Sequence, residues 1–345
     1  MPNNIGCSLY PTTFQNNLPD WIGKGSLVFT SAQLPQTTHQ NLKNLIDAVH
    51  AQNGQVVVDI NDRTADQLGY KDEAEMQKDL DIDMFRLDDG YSLDQTLALC
   101  KERPIAVNAS THTKEEIEKL LAANSDNLFI HNFYPRPETG LDIETFEKIN
   151  RYIPDDRLIA FINGDSELRG PVFEGLVTLE DQRSKPPYLN YVQLRQLGIK
   201  NILVGDPGLS QAQAKMIRLA AGGIFSIPCE LADPEMYGKV YQTRFDSPVL
   251  LKRLLHTRAP LTEPVGPGPV EERFKGAITQ DNLHYGRYQG EISITGKALP
   301  ADERVNVIGM VHPDYLDLIE WIDNGSNIVL TNLETLENEY SALEN

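Results

Sequence analysis

The chain has 345 residues, 40% hydrophobic and 23% charged, the proportions of a soluble globular protein with room for a large α/β domain and a smaller one. Its 31 Lys and Arg face 50 Asp and Glu, and the net charge of −19 argues against nucleic-acid or anionic-membrane partners. No window is apolar enough to span a bilayer, the start Met1-Pro2-Asn3-Asn4 lacks a secretory pattern, and Cys7, Cys100 and Cys229 form no CxxC, so a cytoplasmic protein with reduced thiols is expected.

In chain order, Ile5 to Tyr10 is the first predicted strand, ended by Pro11, and Ser26 to Thr30 the second, with a reduced helix around Phe14 to Ile22 between them. A helix follows with Leu42, Leu45, Ile46 and Val49 at helical spacing and Gly54 just past its end. Val56 to Asp59 is the third strand, a β-branched run of the kind buried on both faces. Met84 to Asp88 is the fourth, and Ile105 to Asn108 the fifth. Thr113 and Glu116 form a capping box for the next helix, which carries Ile117, Leu120 and Leu121. Leu128 to Ile130 is the sixth strand, and a helix with Ile143, Phe146, Ile149 and Ile153 leads to the seventh, Leu158 to Ile162. A long polar excursion, Gly164 to Pro187, precedes a helix through Tyr191, Leu194 and Leu197 and the eighth strand, Ile202 to Val204. The turn Gly205 to Gly208 opens a last helix, where Ser210 and Gln213 suggest another capping box.

Eight short apolar strands alternating with helices predict an α/β fold, a (β/α)8 TIM barrel, over residues 1–234. From 235 to 345 the rhythm changes. An alternating stretch at Val240 to Phe245 and a Pro/Gly segment at 259–269 come first. Strand candidates follow at Phe274 to Thr279, Gly290 to Thr295, Val305 to Val311 and Ile328 to Thr331, with a helix at Pro313 to Ile322. They predict a small, mainly antiparallel β domain.

Active sites of such barrels lie at the carboxyl ends of the strands. The exits here are Ser8 and Tyr10, Asp59 and Asn61, Arg86 with Asp88 and Asp89, Asn108, His131 with Asn132, and Asn163. His131 to Gly140 (HNFYPRPETG) ends its strand in imidazole, carboxamide, phenol and guanidinium groups that no turn requires. Alternation puts Arg86 and Asp88 on one face, where an arginine keeps a carboxylate ionised; a structural ion pair is the competing reading. Asp59 ends a strand so apolar that its carboxylate needs a partner or a task. Glu174 and Glu180 lie in GPVFEGLVTLE, a loop whose glycines and apolar residues suggest that it is folded. There is no P-loop, GxGxxG, GxSxG or HExxH, and the histidines are dispersed. What remains is a site of carboxylates, carboxamides, tyrosines and arginines. That is equipment for glycoside hydrolysis, but an isomerase or lyase on the same fold uses the same parts.

The blocks HNFYPRPETGL (131–141), GPVFEGLVTLEDQR (170–183), FRLDDG (85–90), VNAS (107–110), NLHYGRYQGE (282–291) and RVNVIG (304–309) together resemble the bacterial 6-phospho-N-acetylmuramidase family across nearly the whole chain. The resemblance implies a TIM barrel followed by a cyclophilin-like β domain. It also implies hydrolysis of the bond between N-acetylmuramic acid 6-phosphate and N-acetylglucosamine, in cytoplasmic recovery of cell-wall fragments, with neither metal nor organic cofactor. Asp88 and Glu174 are then the expected catalytic residues, with Asp59 in reserve. Substrate contacts are expected from Tyr10, Arg86, Asn108, His131, Asn132, Tyr134, Arg136, Glu180, Arg183, Tyr285 and Arg287. A phosphate and a lactyl carboxylate explain why an acidic protein would gather Arg86, Arg136, Arg183 and Arg287, the last from the same chain or from the partner in a homodimer. The turn before Ser210 offers helix N–H groups for phosphate. Thr12 stands where the family usually has an acidic residue, a departure that bears on substrate choice or turnover. The competing expectations are an epimerase or lyase on a sugar phosphate, using Asp59 and Glu174, and a sugar-phosphate sensor that has lost turnover.

Overall fold

The computed structural model describes residues 5–258, 263–334 and 336; the start of the chain (1–4) and the first part of the Pro/Gly segment (259–262) lie outside them. Contacts divide the chain into two compact units, residues 1–210 and 211–345.

In the first unit, β1 (Gly6–Ser8), β2 (Leu27–Ser31), β3 (Gln55–Ile60), β4 (Met84–Leu87), β5 (Ala106–Asn108), β6 (Leu128–Ile130), β7 (Leu158–Ile162) and β8 (Asn201–Val204) form a closed barrel, each strand parallel to its neighbours. The connection from β1 to β2 holds only turns, so the short predicted helix there is absent. The helices are α1 (His39–Ala51), α2 (Thr64–Gln67), α3 (Glu73–Leu80), α4 (Leu93–Glu102), α5 (Lys114–Ala123), α6 (Ile143–Asn150) and α7 (Pro187–Gln196). The capping box at Thr113 and Glu116 is present. Periodicity leaves α3 and α4 unmarked: α3 has only Met76 and Leu80 as large apolar residues, and the positions α4 buries are Thr96 and Cys100. Their starts are nevertheless written in the caps Asp72 and Ser92.

Strand alternation decides what the barrel contains. Leu27, Phe29, Val57, Ala106, Leu128, Ile130, Ile159, Phe161 and Leu203 form one buried cluster, with Met84 and Phe133 packed against it. Two residues further along each strand, the same inward parity reaches Ser31, Asp59, Arg86, Asn108, Asn132 and Asn163. The apolar layer is therefore followed by a polar layer at the carboxyl ends. Register sets Ser31 beside Asp59 and Asp59 beside Arg86 on adjacent strands.

The second unit holds α8 (Gln211–Ala221), β9 (Ile224–Leu231), β10 (Val240–Gln242), β11 (Leu251–Arg253), β12 (Ala277–Asp281), β13 (Ile292–Thr295), β14 (Val305–Val311), α9 (Leu318–Trp321) and β15 (Asn327–Thr331). Its seven-stranded sheet runs β10-β15-β9-β14-β12-β13-β11. The pairing of β9 with β15 is parallel and the other pairings are antiparallel, so the sheet is mixed and mainly antiparallel, as expected. Sequence reading assigned no strand to β9, where Pro228 interrupts the apolar run. The proline is tolerated because it sits at the last register position with β15. Cys7, Cys100 and Cys229 are all buried thiols.

Candidate active site

Around the polar layer lies a cavity of about 320 Å³, bordered among others by Tyr10, Asp59, Arg86, Asp88, Asn132 and Arg169. Phe29, Phe133 and Phe161 also border it and meet edge to face, with ring centroids 5.1–6.1 Å apart. Arg86 is buried and holds the polar groups together. One terminal nitrogen lies 2.6 Å from Asp59 Oδ1 and 2.6 Å from Asp88 Oδ1; the other donates to Asn132 Oδ1 at 2.7 Å. Gln33 Nε2 donates to Asp59 Oδ2 at 2.8 Å and to Asp88 Oδ2 at 3.4 Å, and Ser31 Oγ donates to Asp59 Oδ2. Burial pushes the Asp59 carboxyl up from 3.8 to about 6, against the opposing pull of Arg86. Asp88 is the more open of the two, its side chain 39% exposed against 11% for Asp59.

The two long family-like blocks prove to be each other's partners. Tyr134 pairs with Val177 and Leu141 with Leu179, joining the loop after β6 to the loop after β7. Arg183 clamps them. Its guanidinium grips both carboxylate oxygens of Glu180, at 2.7 and 2.6 Å, and donates to the carbonyls of Tyr134, Gly175 and Arg136. Glu180 accepts in turn from the N–H groups of Glu138 and Gly140. A Cβ on Gly140 would lie 2.6 Å from Glu180 Oε2, so only glycine permits this approach. Expected from the sequence to touch substrate, Arg183 and Glu180 instead have their polar atoms engaged by protein.

The Arg183 guanidinium, helped by the two N–H donors, holds the Glu180 carboxyl down from 4.5 to about 2. A depressed acid adds stability above its unfolded pKa and loses that contribution as pH falls through the folded one. The stability advantage of wild type over Glu180→Gln should therefore be full above about pH 4.5 and gone near pH 2. Denaturation midpoints across that range measure it; a difference constant with pH would deny the ion pair its role.

The other expected residues are placed as follows. Alternation turns His131 outward from the barrel, stacked on Phe146 at 4.6 Å, although the residue borders the cavity. Ser110 Oγ lies 3.3 Å from Nδ1 and Asn150 Oδ1 2.6 Å from Nε2; burial lowers the imidazole to about 4, and it is neutral. Asn108 accepts the N–H of Ser110. Arg136 and Glu174 are exposed on their loops, as is Thr12 after β1. In the second unit, Tyr285 and Arg287 sit on a 3₁₀ turn, Leu283–Tyr288, where sequence reading allowed an ordinary hairpin. Arg304 lies over the Tyr285 ring at 4.6 Å, and Arg287 donates to the Tyr288 hydroxyl at 2.7 Å. At the turn after β8, the N–H and hydroxyl of Ser210 both donate to Asp165, so that donor is already engaged. No cluster of three or more His, Cys, Asp or Glu suited to a metal ion occurs among the described residues.

Two residues that sequence reading missed shape the site. Arg169, in the loop after β7, stacks on Tyr10 with its guanidinium carbon 3.5 Å from the ring centroid. Asp206, fully buried after β8, accepts the N–H groups of Gly164, Leu176 and Arg169 at 2.9, 2.9 and 3.0 Å and so anchors that loop. The acidic side chain in a Gly-Asp-Pro-Gly turn was the available signal for Asp206; Arg169 had none.

A parallel eight-stranded barrel with paired carboxylates and an arginine at the carboxyl ends of its strands has the architecture of a TIM-barrel enzyme. The chain belongs to the 6-phospho-N-acetylmuramidase family: residues 5–219 match its N-terminal part and 230–331 its C-terminal part. The family name denotes a glycosidase, and the protein is one. Among solved structures, a conserved Enterococcus faecalis protein with an unknown function is 28% identical, with a TM-score of 0.84 over 99% of this chain and 100% of that one. An uncharacterised B. cereus protein is 21% identical, with a TM-score of 0.76 over 96% and 100%, and shares the fold. A search of curated proteins found no match.

Proposed function

We propose that the protein hydrolyses the bond between N-acetylmuramic acid 6-phosphate and N-acetylglucosamine, in the cytoplasmic recovery of cell-wall fragments. The observation that carries this reading is the Asp59–Arg86–Asp88 unit at the cavity, with Asp59 and Arg86 buried and Asp88 open to it, in a member of a family named for that chemistry. Both carboxylates approach one nitrogen of Arg86 to 2.6 Å, so their nearest oxygens lie within about 5 Å of each other. Two carboxylates held this close to one guanidinium nitrogen favour the retaining arrangement, in which the carboxyl groups lie about 5–5.5 Å apart, over the roughly 6.5–9.5 Å of inverting enzymes. In this mechanism Asp59, its pKa raised, protonates the leaving oxygen, and the more open Asp88, paired with Arg86, attacks the anomeric carbon. Water then releases the sugar with Asp59 as base. Tyr285 and Arg287 are assigned to substrate binding, which Arg287→Ala tests in the same assay.

Incubation with the phosphorylated and unphosphorylated disaccharides, products being identified by mass, tests the reaction. Two monosaccharides should appear from the phosphorylated substrate alone. A single isomerised product would indicate an epimerase, and tight binding without turnover a sensor.

The acid role also sets a pH profile. Above about pH 6 Asp59 loses its proton, so kcat/KM should fall on that side. Gln33 donates to the charged form of Asp59, so Gln33→Ala should move this limb to higher pH. A limb unmoved by the substitution would assign the titration to another group.

A further inference from the structure

We propose that Arg169 is the residue that holds the phosphate of the substrate; the assignment rests on the functional reading above and adds the anion's place within the cavity. Three cationic or potentially cationic residues border the cavity among the described residues: Arg86, His131 and Arg169. Arg86 is already faced by two carboxylates, so a phosphate there would meet net negative charge. His131 is neutral, with both ring nitrogens near side-chain oxygens of the protein. Arg169 alone of the three has a guanidinium with neither a carboxylate nor a hydrogen-bond acceptor on it among the described residues.

Its setting suits an oxyanion. Stacking on Tyr10 fixes the guanidinium plane at 3.5 Å and leaves its N–H edges for a ligand, while Phe133 stands 5.7 Å away. A planar fork of this kind donates two parallel bonds to a phosphate. The backbone is fixed as well, because the Arg169 N–H is held by the buried carboxylate of Asp206. An arginine held on an aromatic face, with its backbone anchored and its donors open, loses little freedom on binding. Arg136 is exposed and Arg183 has its donors on Glu180 and on backbone carbonyls, so neither offers the same arrangement.

The test uses the full chain with Arg169→Met and Arg169→Lys. Affinities for N-acetylmuramic acid 6-phosphate, N-acetylglucosamine 6-phosphate and unphosphorylated N-acetylmuramic acid are measured by calorimetry, with KM and kcat for both disaccharides. Arg169→Met should weaken both phosphorylated sugars by roughly 10- to 100-fold, raise KM more than it lowers kcat, and leave the unphosphorylated sugar unchanged. Arg169→Lys should recover part of the loss on the phosphorylated sugars only. A loss that follows the lactyl group instead, sparing N-acetylglucosamine 6-phosphate, would assign Arg169 to the carboxylate and overturn the proposal. Undiminished preference for phosphate in Arg169→Met would overturn it while leaving the functional reading intact. Wild-type protein indifferent to phosphate would overturn both.

Discussion

Asp88→Asn should lower kcat on the phosphorylated disaccharide on the order of 10²–10⁴-fold or more, as loss of a carboxylate that acts on the reacting bond does. The substitution keeps shape and leaves an amide oxygen for Arg86, and the side chain is 39% exposed, so the fold should survive. Asp59→Asn should produce a loss of similar size for a different reason. An amide beside Arg86 cannot release a proton to the leaving oxygen. The two are separable by substrate: an activated aryl glycoside, whose leaving group needs no proton, should rescue Asp59→Asn far better than Asp88→Asn. Glu174→Gln belongs in the same experiment, since Glu174 was the second carboxylate expected from the sequence. A comparable loss in that variant, while Asp59→Asn keeps normal turnover, would move the acid role to the loop.

The second large effect is on stability. Asp206 is fully buried and accepts three backbone N–H groups from the loop after β7. Asp206→Ala would leave those three donors without their acceptor and should destabilise the barrel by about 3–5 kcal/mol. Urea denaturation followed by circular dichroism measures this. Asp206→Asn, which retains an oxygen acceptor, should lose less. Because the same carboxylate positions Arg169, both variants should also weaken phosphorylated substrate under conditions where the protein is folded. A change below about 1 kcal/mol in Asp206→Ala would mean that water replaces the carboxylate and that the loop does not depend on it.

The eight barrel strands could be read directly, because each is a short apolar run and its position is a local property of the chain. The polar layer could be read too. Asp59, Arg86, Asp88 and Asn132 share the inward parity of the apolar residues that precede them, and period two is written in the sequence. That rule, applied one step further, would also have turned His131 outward. The helices α3 and α4 escaped because α3 has only Met76 and Leu80 as large apolar residues and α4 buries Thr96 and Cys100, which give a weak apolar signal.

What the sequence determined by itself is the order of elements, the alternation that stacks an apolar layer beneath a polar one, and the family-like blocks. Only the tertiary structure decided which charged groups meet. Arg183 and Glu180 look like substrate ligands until the loops after β6 and β7 pair and the clamp takes up their polar atoms. Arg169 looks like one more solvated loop residue until the return of the chain lays it on Tyr10. The physical reason is the same in both cases. A side chain's available hydrogen bonds and net charge are set by neighbours far away in sequence, and closing the barrel is what brings those neighbours together.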